Sequence, residues 1–343
     1  MINGKKIAGI VQARMTSTRL PGKALIDICG RPALQRVIER LRASKILDDV
    51  VVACTTNEED DTIVSLCEKL GCSYFRGSEE DVLSRVLGAA KKFEVDVIVE
   101  VTADCPLIDW NHVNTLVEMH MESVRSPISS PAGITSNIIE RTFPRGYDTR
   151  VFNTEVLERI NREVDNPIDR QHVSTWAYLN PKGKENYLCL NWVAPTGQDR
   201  PDIEVTLDTP EDLELIRWIF GFESQGYNLE LTCQDVINLI DTYPSMYEKV
   251  AKIQRKDYFQ EIQEAYDNMP KGGFVESDKA ILHKDTVIPR ATADKIKSAY
   301  IPDGLITTPK MHQSLLKAAK SAVIKEGAKK EDDPKKRGRK SKV

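Results

Sequence analysis

The side chains best suited to binding phosphate in this 343-residue sequence are concentrated in residues 13–23, the basic loop. Within eleven positions this segment holds three cations, three hydroxyl side chains and one glycine. Cations offset the charge of a polyphosphate, and hydroxyl and backbone N–H groups bind its oxygens. Ser17 and Ala24 stand where a Walker A motif requires Gly and Ser or Thr, so the segment is not a P-loop. The alternative interpretation is a solvated basic loop. The cations are Arg14, Arg19 and Lys23.

Two aspartates, Asp104 and Asp208, are candidates for binding a divalent metal ion. Each follows a predicted strand, and neighbouring parallel strands would bring both to the same sheet edge as the basic loop. Mg²⁺ takes one or two carboxylates together with phosphate oxygens and water, so two aspartates suffice. The structural alternatives are a turn at Asp104 and a helix N-cap at Asp208. Thr209 and Pro210 already provide a helix start, which favours a functional role for Asp208.

Further cations occur in the middle of the sequence at Arg145, Arg150, Arg170 and His172. If the fold brings them together, they would suit a carboxylate or phosphate on an acceptor molecule. Scattered arginines are also common on solvated surfaces, so both interpretations stay open. His172 by itself is not favoured as a catalytic base.

The first hundred residues alternate apolar strand patterns with amphipathic helix patterns. Strands are predicted at 6–12, 49–53, 73–75 and 95–101, and helices at 33–44, 60–70 and 80–93. Such alternation indicates βαβ units and a mostly parallel sheet, in which ligands bind at the carboxyl ends of the strands. The loops after Gln12, Phe75 and Val101 are therefore expected to form the site. The acidic residues 58–61 are expected to be a solvated helix start.

The pattern is less regular beyond residue 125. Strands are predicted at 187–193 and 203–207, and helices from Pro210, over 246–268 and over 310–325. The low-complexity residues 335–340 are expected to be disordered.

Composition excludes several classes of protein. No apolar run approaches the ~20 residues of a membrane helix, and no signal peptide is recognised, so we expect a cytoplasmic chain. Seven scattered cysteines without a CxxC pair indicate reduced thiols rather than a zinc site. Nine Lys or Arg and four Asp or Glu in residues 325–343 give a surplus of +5, which leaves −9 elsewhere in a chain of net charge −4. Such an acidic body is unlike a nucleic-acid-binding fold, so nucleic acid is expected to bind at most through the basic tail.

Several motifs in the sequence resemble those of sugar-activating cytidylyltransferases. The first, QAR at 12–14 through KAL at 23–25, is similar to 3-deoxy-manno-octulosonate cytidylyltransferase and more so to the spore-coat polysaccharide biosynthesis branch. The others are FRGSEEDVLSR at 75–85, TADCPLID at 102–109, FPRGYD at 143–148 and LDTPEDL at 207–213. Five motifs in family order cover about residues 5–222. Ala103 departs from the family, which usually has Gly there, and would be strained if this position required a positive φ.

The resemblance implies a glycosyltransferase-A-like nucleotide-binding fold, usually dimeric, that transfers CMP from CTP to a sugar acid with Mg²⁺ and releases pyrophosphate. Arg14 and Lys23 would hold the triphosphate, and Asp104 and Asp208 would bind the metal; these four form the predicted catalytic set. The other predicted nucleotide-binding residues are Ala13, Ser17, Arg19, Arg76, Ser78, Asp81 and Arg85. The predicted sugar-binding residues are Arg145, Asp148 and His172 by resemblance, and Arg170 from the group of cations.

We therefore predict an α/β nucleotidyltransferase domain over residues 1–244, with a mostly parallel, mixed central sheet flanked by helices. A mostly helical extension covers 245–324, and a disordered basic tail covers 325–343. The predicted function is CTP-dependent activation of an acidic sugar for surface glycan biosynthesis by a homodimer. One alternative is a glycosyltransferase of the same fold that uses a nucleotide sugar, but the cations of the basic loop suit a free triphosphate. The other is a non-catalytic nucleotide-binding protein recruited through its tail.

Removal of residues 325–343 should leave transfer activity unchanged. Nine cations among 19 residues with almost no large apolar side chains cannot form a core of their own. The measurement compares the turnover of the full-length and truncated chains under identical conditions. Loss of activity on truncation would show that the tail belongs to the active site or to the assembly.

Overall fold

The structure of the protein is a computed structural model that describes residues 1–125, 132–224, 230–255 and 258–267. The helix predicted over 310–325 and the predicted basic tail lie outside these residues. None of the helices in the described part is long and apolar enough to cross a bilayer.

A seven-stranded mixed sheet lies at the centre of the described residues, and two short strands form a separate hairpin. The strand order is β5-β4-β1-β6-β8-β7-β9, in which β5, β4, β1 and β6 run parallel. Strand β8 is antiparallel to both β6 and β7, and β9 is parallel to β7. The strands are β1 (Ile7–Gln12), β2 (Asp27–Ile28), β3 (Arg31–Pro32), β4 (Asp49–Thr55), β5 (Ser73–Gly77), β6 (Val97–Thr102), β7 (Ala132–Ser136), β8 (Arg150–Asn153) and β9 (Leu188–Asn191).

Helices cover both faces of this sheet. They are α1 (Ala33–Arg42), α2 (Asp61–Lys69), α3 (Val82–Lys92), α4 (Trp110–Arg125), α5 (Thr154–Glu163), α6 (Pro167–Gln171), α7 (Trp176–Leu179), α8 (Pro181–Asn186), α9 (Pro210–Ser224), α10 (Cys233–Thr242), α11 (Pro244–Ala251) and α12 (Tyr258–Asp267). The fold class predicted from the alternating pattern, a mostly parallel mixed sheet between helices, is confirmed.

Strand β1 shows why its sequence is an almost continuous apolar run. Ile7 and Val11 belong to the core that α1 and α4 complete, while Ala8 and Ile10 belong to the core formed with α3 and α5. Because successive side chains of a strand point to opposite faces, a strand covered on both faces has no solvent-facing positions. The carboxyl ends of β1 and β6 therefore emerge from the buried centre of the sheet.

The prediction of a strand over 203–207 is wrong. This segment is extended, but it forms only an isolated bridge between Arg145 and Glu204. Its backbone hydrogen bonds go to two loops: Val205 donates to the Arg145 carbonyl at 2.8 Å, and Leu207 donates to the Asp104 carbonyl at 2.8 Å. An extended apolar segment needs a neighbouring strand to become part of a sheet, and here its neighbours are loops.

The helix predicted over 246–268 is instead two helices, α11 and α12, because the chain turns after Ala251 and directs Arg255 back onto α9. Both helices pack onto the domain, with Val250 3% exposed and Ile262 fully buried. Contacts therefore cross the predicted boundary between residues 244 and 245. The chain beyond 267 stays a prediction.

Buried Arg40 joins three parts of the domain. From α1, its guanidinium donates to the carbonyl of Ile108 at 2.6 Å, of Glu230 at 3.1 Å and of Leu231 at 2.7 Å. It also stacks over the ring of Trp110. The side chain thereby holds the loop after β6 and the start of α10 against α1.

Replacing Arg40 by methionine should lower the free energy of unfolding by about 3 kcal/mol, because the carbonyls it binds lose their donor away from water. The matched control is Arg42→Met, which removes an exposed guanidinium that donates to the carbonyls of Leu70 and Gly71. We expect the control to cost about 1 kcal/mol or less, since water can replace the donor. Urea denaturation of both variants measures the difference, and equal costs would contradict the prediction.

Candidate active site

The basic loop is fixed at its base by a buried carboxylate. Asp60 is fully buried; its Oδ1 accepts the N–H of Met15 at 2.8 Å and its Oδ2 accepts that of Thr55 at 2.7 Å. The interpretation of residues 58–61 as a solvated helix start is therefore wrong for Asp60. Its carboxylate satisfies backbone donors where β4 ends and where the basic loop begins, as buried N–H groups require.

A left-handed glycine directs the end of the basic loop into the cleft. Gly22 has φ of 71°, which a residue with a Cβ adopts only at a cost, and it donates to the Met15 carbonyl at 3.1 Å. A short 3-10 turn, Lys23–Leu25, follows at once. Lys23 is therefore placed beneath the loop rather than on its outer surface.

Lys23 contacts both predicted metal-binding aspartates. Its Nζ lies 2.8 Å from Oδ2 of Asp104 and 2.7 Å from Oδ1 of Asp208. Arg19 also reaches Asp208, with Nη2 at 3.1 Å from Oδ2. Burial by itself would lower the pKa of Lys23, but the two carboxylates outweigh it and raise that pKa above its usual value. Burial would raise the pKa of Asp104, yet the Lys23 ammonium holds it below its usual value.

The two aspartates are positioned by different parts of the chain. Asp104 stands two residues after β6 and accepts the Thr102 hydroxyl, as the loop position predicts. Asp208 follows the extended segment 203–207, and the hydrogen bond from Leu207 to the Asp104 carbonyl brings it alongside. The structure thus brings the pair together, although Asp208 does not follow a strand. Ala103 does not adopt a positive φ, so alanine fits without strain at the position where the family usually has glycine.

Asp208 does not act as the helix cap. Thr209 accepts the N–H of Asp212 at 3.3 Å, and the Asp212 carboxylate accepts the N–H of Thr209 at 2.8 Å. This reciprocal pair caps α9, as expected from the sequence. The Asp208 carboxylate therefore stays directed toward Lys23 and Arg19.

The turn at residues 143–148 packs closely on the extended segment. Gly146 has φ of 113°, and a Cβ there would lie 2.8 Å from Cγ2 of Val205, closer than side chains tolerate. Arg145 donates its N–H to the Ile203 carbonyl at 2.9 Å and accepts from Val205. Only glycine allows this approach, which places Arg145 and Asp148 at the wall of the cleft.

The three arginines of the predicted cation group are each paired with a carboxylate. Arg145 lies 3.3 Å from Glu204, and Arg150 lies 3.0 Å from Glu100. Arg170 is paired with Asp81. The predicted acidic residue, Asp148, is paired with Arg141. Burial would raise the pKa of Asp148, but Arg141 holds it below its usual value. Arg145, Asp148 and Arg150 line the cleft, whereas Arg170 binds the N-cap of α3.

His172 lines the same cleft. Burial, aided by the positive charge of Arg150, lowers its pKa to about 4, so the imidazole is neutral at pH 7. The next residue, Val173, has φ of 57° although it is β-branched and fully buried. Such strain costs of order 1–3 kcal/mol and persists where surrounding packing enforces it. The strained residue therefore directly follows a residue that lines the cleft.

The remaining predicted nucleotide-binding residues surround the loop after β5. Arg76 donates to the carbonyls of Thr55 and Asn57, and Ser78 accepts the N–H of Asp81 at 3.0 Å. Arg85, from α3, donates to the carbonyls of Ser78 and Glu79.

Glu79 joins this loop to the basic loop. Its carboxylate contacts Arg14 at 3.4 Å and accepts the hydroxyl of Thr16. Ser17 accepts the N–H of Leu20 at 3.4 Å, and Ala13 donates to the Ala53 carbonyl. The two loops therefore face each other, and the nucleotide-binding roles of their residues stay predictions.

A cleft of about 370 Å³ connects Arg19, Asp104 and Asp208 with the wall that carries Arg145 and His172. Sequence reasoning missed several residues of this cleft, for which the sequence offers no local signal. They are Glu100, Thr206, Glu204, Arg255 and Glu261. The last two come from the C-terminal extension.

A mostly parallel sheet that carries a cationic loop and two carboxylates at the carboxyl ends of its strands is the arrangement expected of a nucleotidyltransferase. The model of the cytidylyltransferase family matches residues 8–261. The chain belongs to this family, which confirms the resemblance stated from the motifs.

Two relatives and one solved structure illustrate the similarity. An uncharacterised protein of Methanocaldococcus jannaschii is 34% identical over 260 residues, which are 76% of this chain and all of that protein. The spore coat polysaccharide biosynthesis protein SpsF of Bacillus subtilis is 28% identical over 243 residues, covering 68% of this chain and 94% of SpsF. The structure of a cytidylyltransferase from Leptospira borgpetersenii is 31% identical, with a TM-score of 0.64 over 74% of this chain and 99% of that one.

Replacing Lys23 by methionine should destabilise the protein at pH 7 by roughly 2 kcal/mol, because Asp104 and Asp208 lose their shared cation and repel each other. The pKa of Asp104 is depressed in the folded protein, so its stabilising contribution is present at neutral pH and is lost as the pH falls below about 4. The difference between variant and wild type should therefore shrink in acid.

Urea denaturation between pH 3 and 7 in buffer without divalent ions measures this difference. The control is Arg14→Met, since Arg14 is 46% exposed and lies 3.4 Å from its partner Glu79. A difference for Lys23→Met that does not change with pH would contradict the assignment.

Proposed function

We propose that the protein transfers CMP from CTP to an acidic sugar, releases pyrophosphate, and supplies the CMP-sugar for surface glycan biosynthesis. The observation that carries the proposal is the Lys23 ammonium held between Asp104 and Asp208, at the end of the basic loop. The similarity to SpsF, named for polysaccharide biosynthesis, supports a glycan precursor as the product.

The donor set at this point suits Mg²⁺. Two carboxylates converge on a single cation position, and hard oxygen ligands of this kind, completed by phosphate oxygens and water, are what Mg²⁺ prefers. We propose that Asp104 and Asp208 hold the ion. When bound, Mg²⁺ would offset negative charge on the triphosphate. Lys23 would then turn from the carboxylates to the phosphate oxygens.

The chain's own residues act mainly by positioning and charge. An acceptor hydroxyl, which we take to be the anomeric one, attacks the α-phosphorus in line. The bond to pyrophosphate breaks, and the hydroxyl proton is released to water. Arg14, Arg19 and Lys23 offset the charge that develops on the leaving pyrophosphate. Arg145 and Arg150 line the cleft, and we propose that they bind the carboxylate of the acceptor sugar. No covalent intermediate on the protein is required.

Nucleotide choice, acceptor and oligomeric state are tested together. The protein is incubated with each of the four ribonucleoside triphosphates, Mg²⁺ and a panel of acidic sugars, and pyrophosphate release is followed. We expect release with CTP and an acidic sugar, and light scattering should show a homodimer. Release with neutral sugars only would reject the acidic acceptor. Absence of release with every pair would reject the transfer reaction.

Asp104→Asn and Asp208→Asn should each lower kcat about 100-fold or more, because each keeps the side-chain size but removes charge from the metal and phosphate site. The control is Asp241→Asn, which removes an exposed partner of Arg200 outside the cleft and should leave kcat unchanged. Steady-state pyrophosphate release measures all three. Near-normal Mg²⁺-dependent turnover in both cleft variants would show that the metal assignment is wrong.

A further inference from the structure

The C-terminal extension places one cation, Arg255, at the cleft. This side chain follows α11 and is 13% exposed. Its Nη1 donates to Oδ2 of Asp212 at 3.2 Å, and its Nη2 donates to Oδ1 of the same carboxylate. Its Nε lies 3.4 Å from Oε2 of Glu204. One guanidinium thus joins the first turn of α9 to the extended segment 203–207.

Asp212 connects Arg255 to the metal-binding aspartate. Its Oδ2 accepts the backbone N–H of Asp208 at 3.0 Å and that of Thr209 at 2.8 Å. These two N–H groups belong to the backbone that carries the Asp208 carboxylate toward Lys23. Asp212 is 1% exposed, and a carboxylate so removed from water requires a counter-charge. Arg255 supplies that charge through a two-pronged contact, which also fixes the orientation of the carboxylate.

Glu204 connects the same guanidinium to the acceptor end of the cleft. Arg145 and Arg255 stand on either side of Glu204, at 3.3 Å and 3.4 Å from Oε2. Glu204 is 8% exposed and also accepts the hydroxyl of Thr206. A buried carboxylate with two guanidinium partners has little freedom to move. Arg255 therefore contacts the supports of both ends of the site.

We propose that Arg255 is a positioning residue of the transfer reaction. Through Asp212 it fixes the backbone at Asp208, and hence the ligand geometry for the metal ion and the triphosphate. Through Glu204 it holds Arg145 at the acceptor wall. This inference rests on the proposed function, since it assigns a further residue to the same cleft.

The test measures Mn²⁺ binding to the full-length chain by electron paramagnetic resonance, with CTP present and no acceptor. Arg255→Met keeps the aliphatic stem but removes the charge, and we expect its affinity for Mn²⁺ to fall about tenfold, as is typical when a partner of a metal ligand is lost. In turnover assays kcat should fall more than the KM for CTP changes. Arg255→Lys restores a charge without the two-pronged contact, so it should recover part of the affinity.

Lys249→Met is the matched control. Lys249 is a cation of the same extension that pairs with Glu214 of α9, but both side chains are more than 60% exposed and outside the cleft. Its Mn²⁺ affinity should equal that of the wild type. The proposal is overturned if Arg255→Met, shown to be folded by circular dichroism, binds Mn²⁺ with the affinity of the wild type. If the methionine variant does not fold, Arg255→Lys is used in its place, and wild-type Mn²⁺ affinity in that variant overturns the proposal.

A double variant tests the route through Asp212. Asp212→Asn should also weaken Mn²⁺ binding, and adding Arg255→Met should cost little more, because the two groups act as one unit. Losses that simply add would overturn this route. Since Mn²⁺ binding needs no turnover, the two hypotheses fail separately. A wild type that releases no pyrophosphate rejects the proposed function, whereas normal Mn²⁺ affinity in Arg255→Met rejects the role of Arg255.

Discussion

The site depends on one interaction, the contact of the Lys23 ammonium with the carboxylates of Asp104 and Asp208. It joins parts of the chain that are 81 and 185 residues apart. Two carboxylates this close would repel each other without a cation between them, and the cost would be highest away from water. Lys23 removes that repulsion by contacting both carboxylates.

Most other charged side chains that line the cleft are also paired with a side chain of opposite charge. Arg145, Arg150 and Asp148 each contact an oppositely charged side chain, and two of the partners, Glu100 and Glu204, are buried. Such pairing holds long side chains in one orientation, so less conformational entropy is lost on binding. The cleft is therefore lined by ion pairs rather than by a bare cationic patch.

The backbone supports of the site lie in the adjacent loops and helix ends. Asp60 accepts backbone N–H groups beneath the basic loop, and Asp212 does the same beneath Asp208. Both are buried carboxylates that fix a turn next to a residue of the predicted site. The extension after residue 244 takes part in this support, since Arg255 neutralises Asp212 and Tyr266 of α12 binds Asp169 of α6. The chain through residue 267 is thus built as part of the same structure.

The sequence by itself determined the alternating strands and helices of the first hundred residues. The spacing of apolar residues within each segment indicates its secondary structure, because the buried faces of the segment must be apolar. It also identified the basic loop and Asp104, whose position after a strand decides where they lie. Only the tertiary structure decided which side chains meet. It paired Arg170 with Asp81, buried Asp60 and brought Arg255 to the cleft. It also left 203–207 outside the sheet. These outcomes depend on contacts between residues far apart in the chain. The spacing of residues within a segment does not determine which distant side chain or segment it will contact.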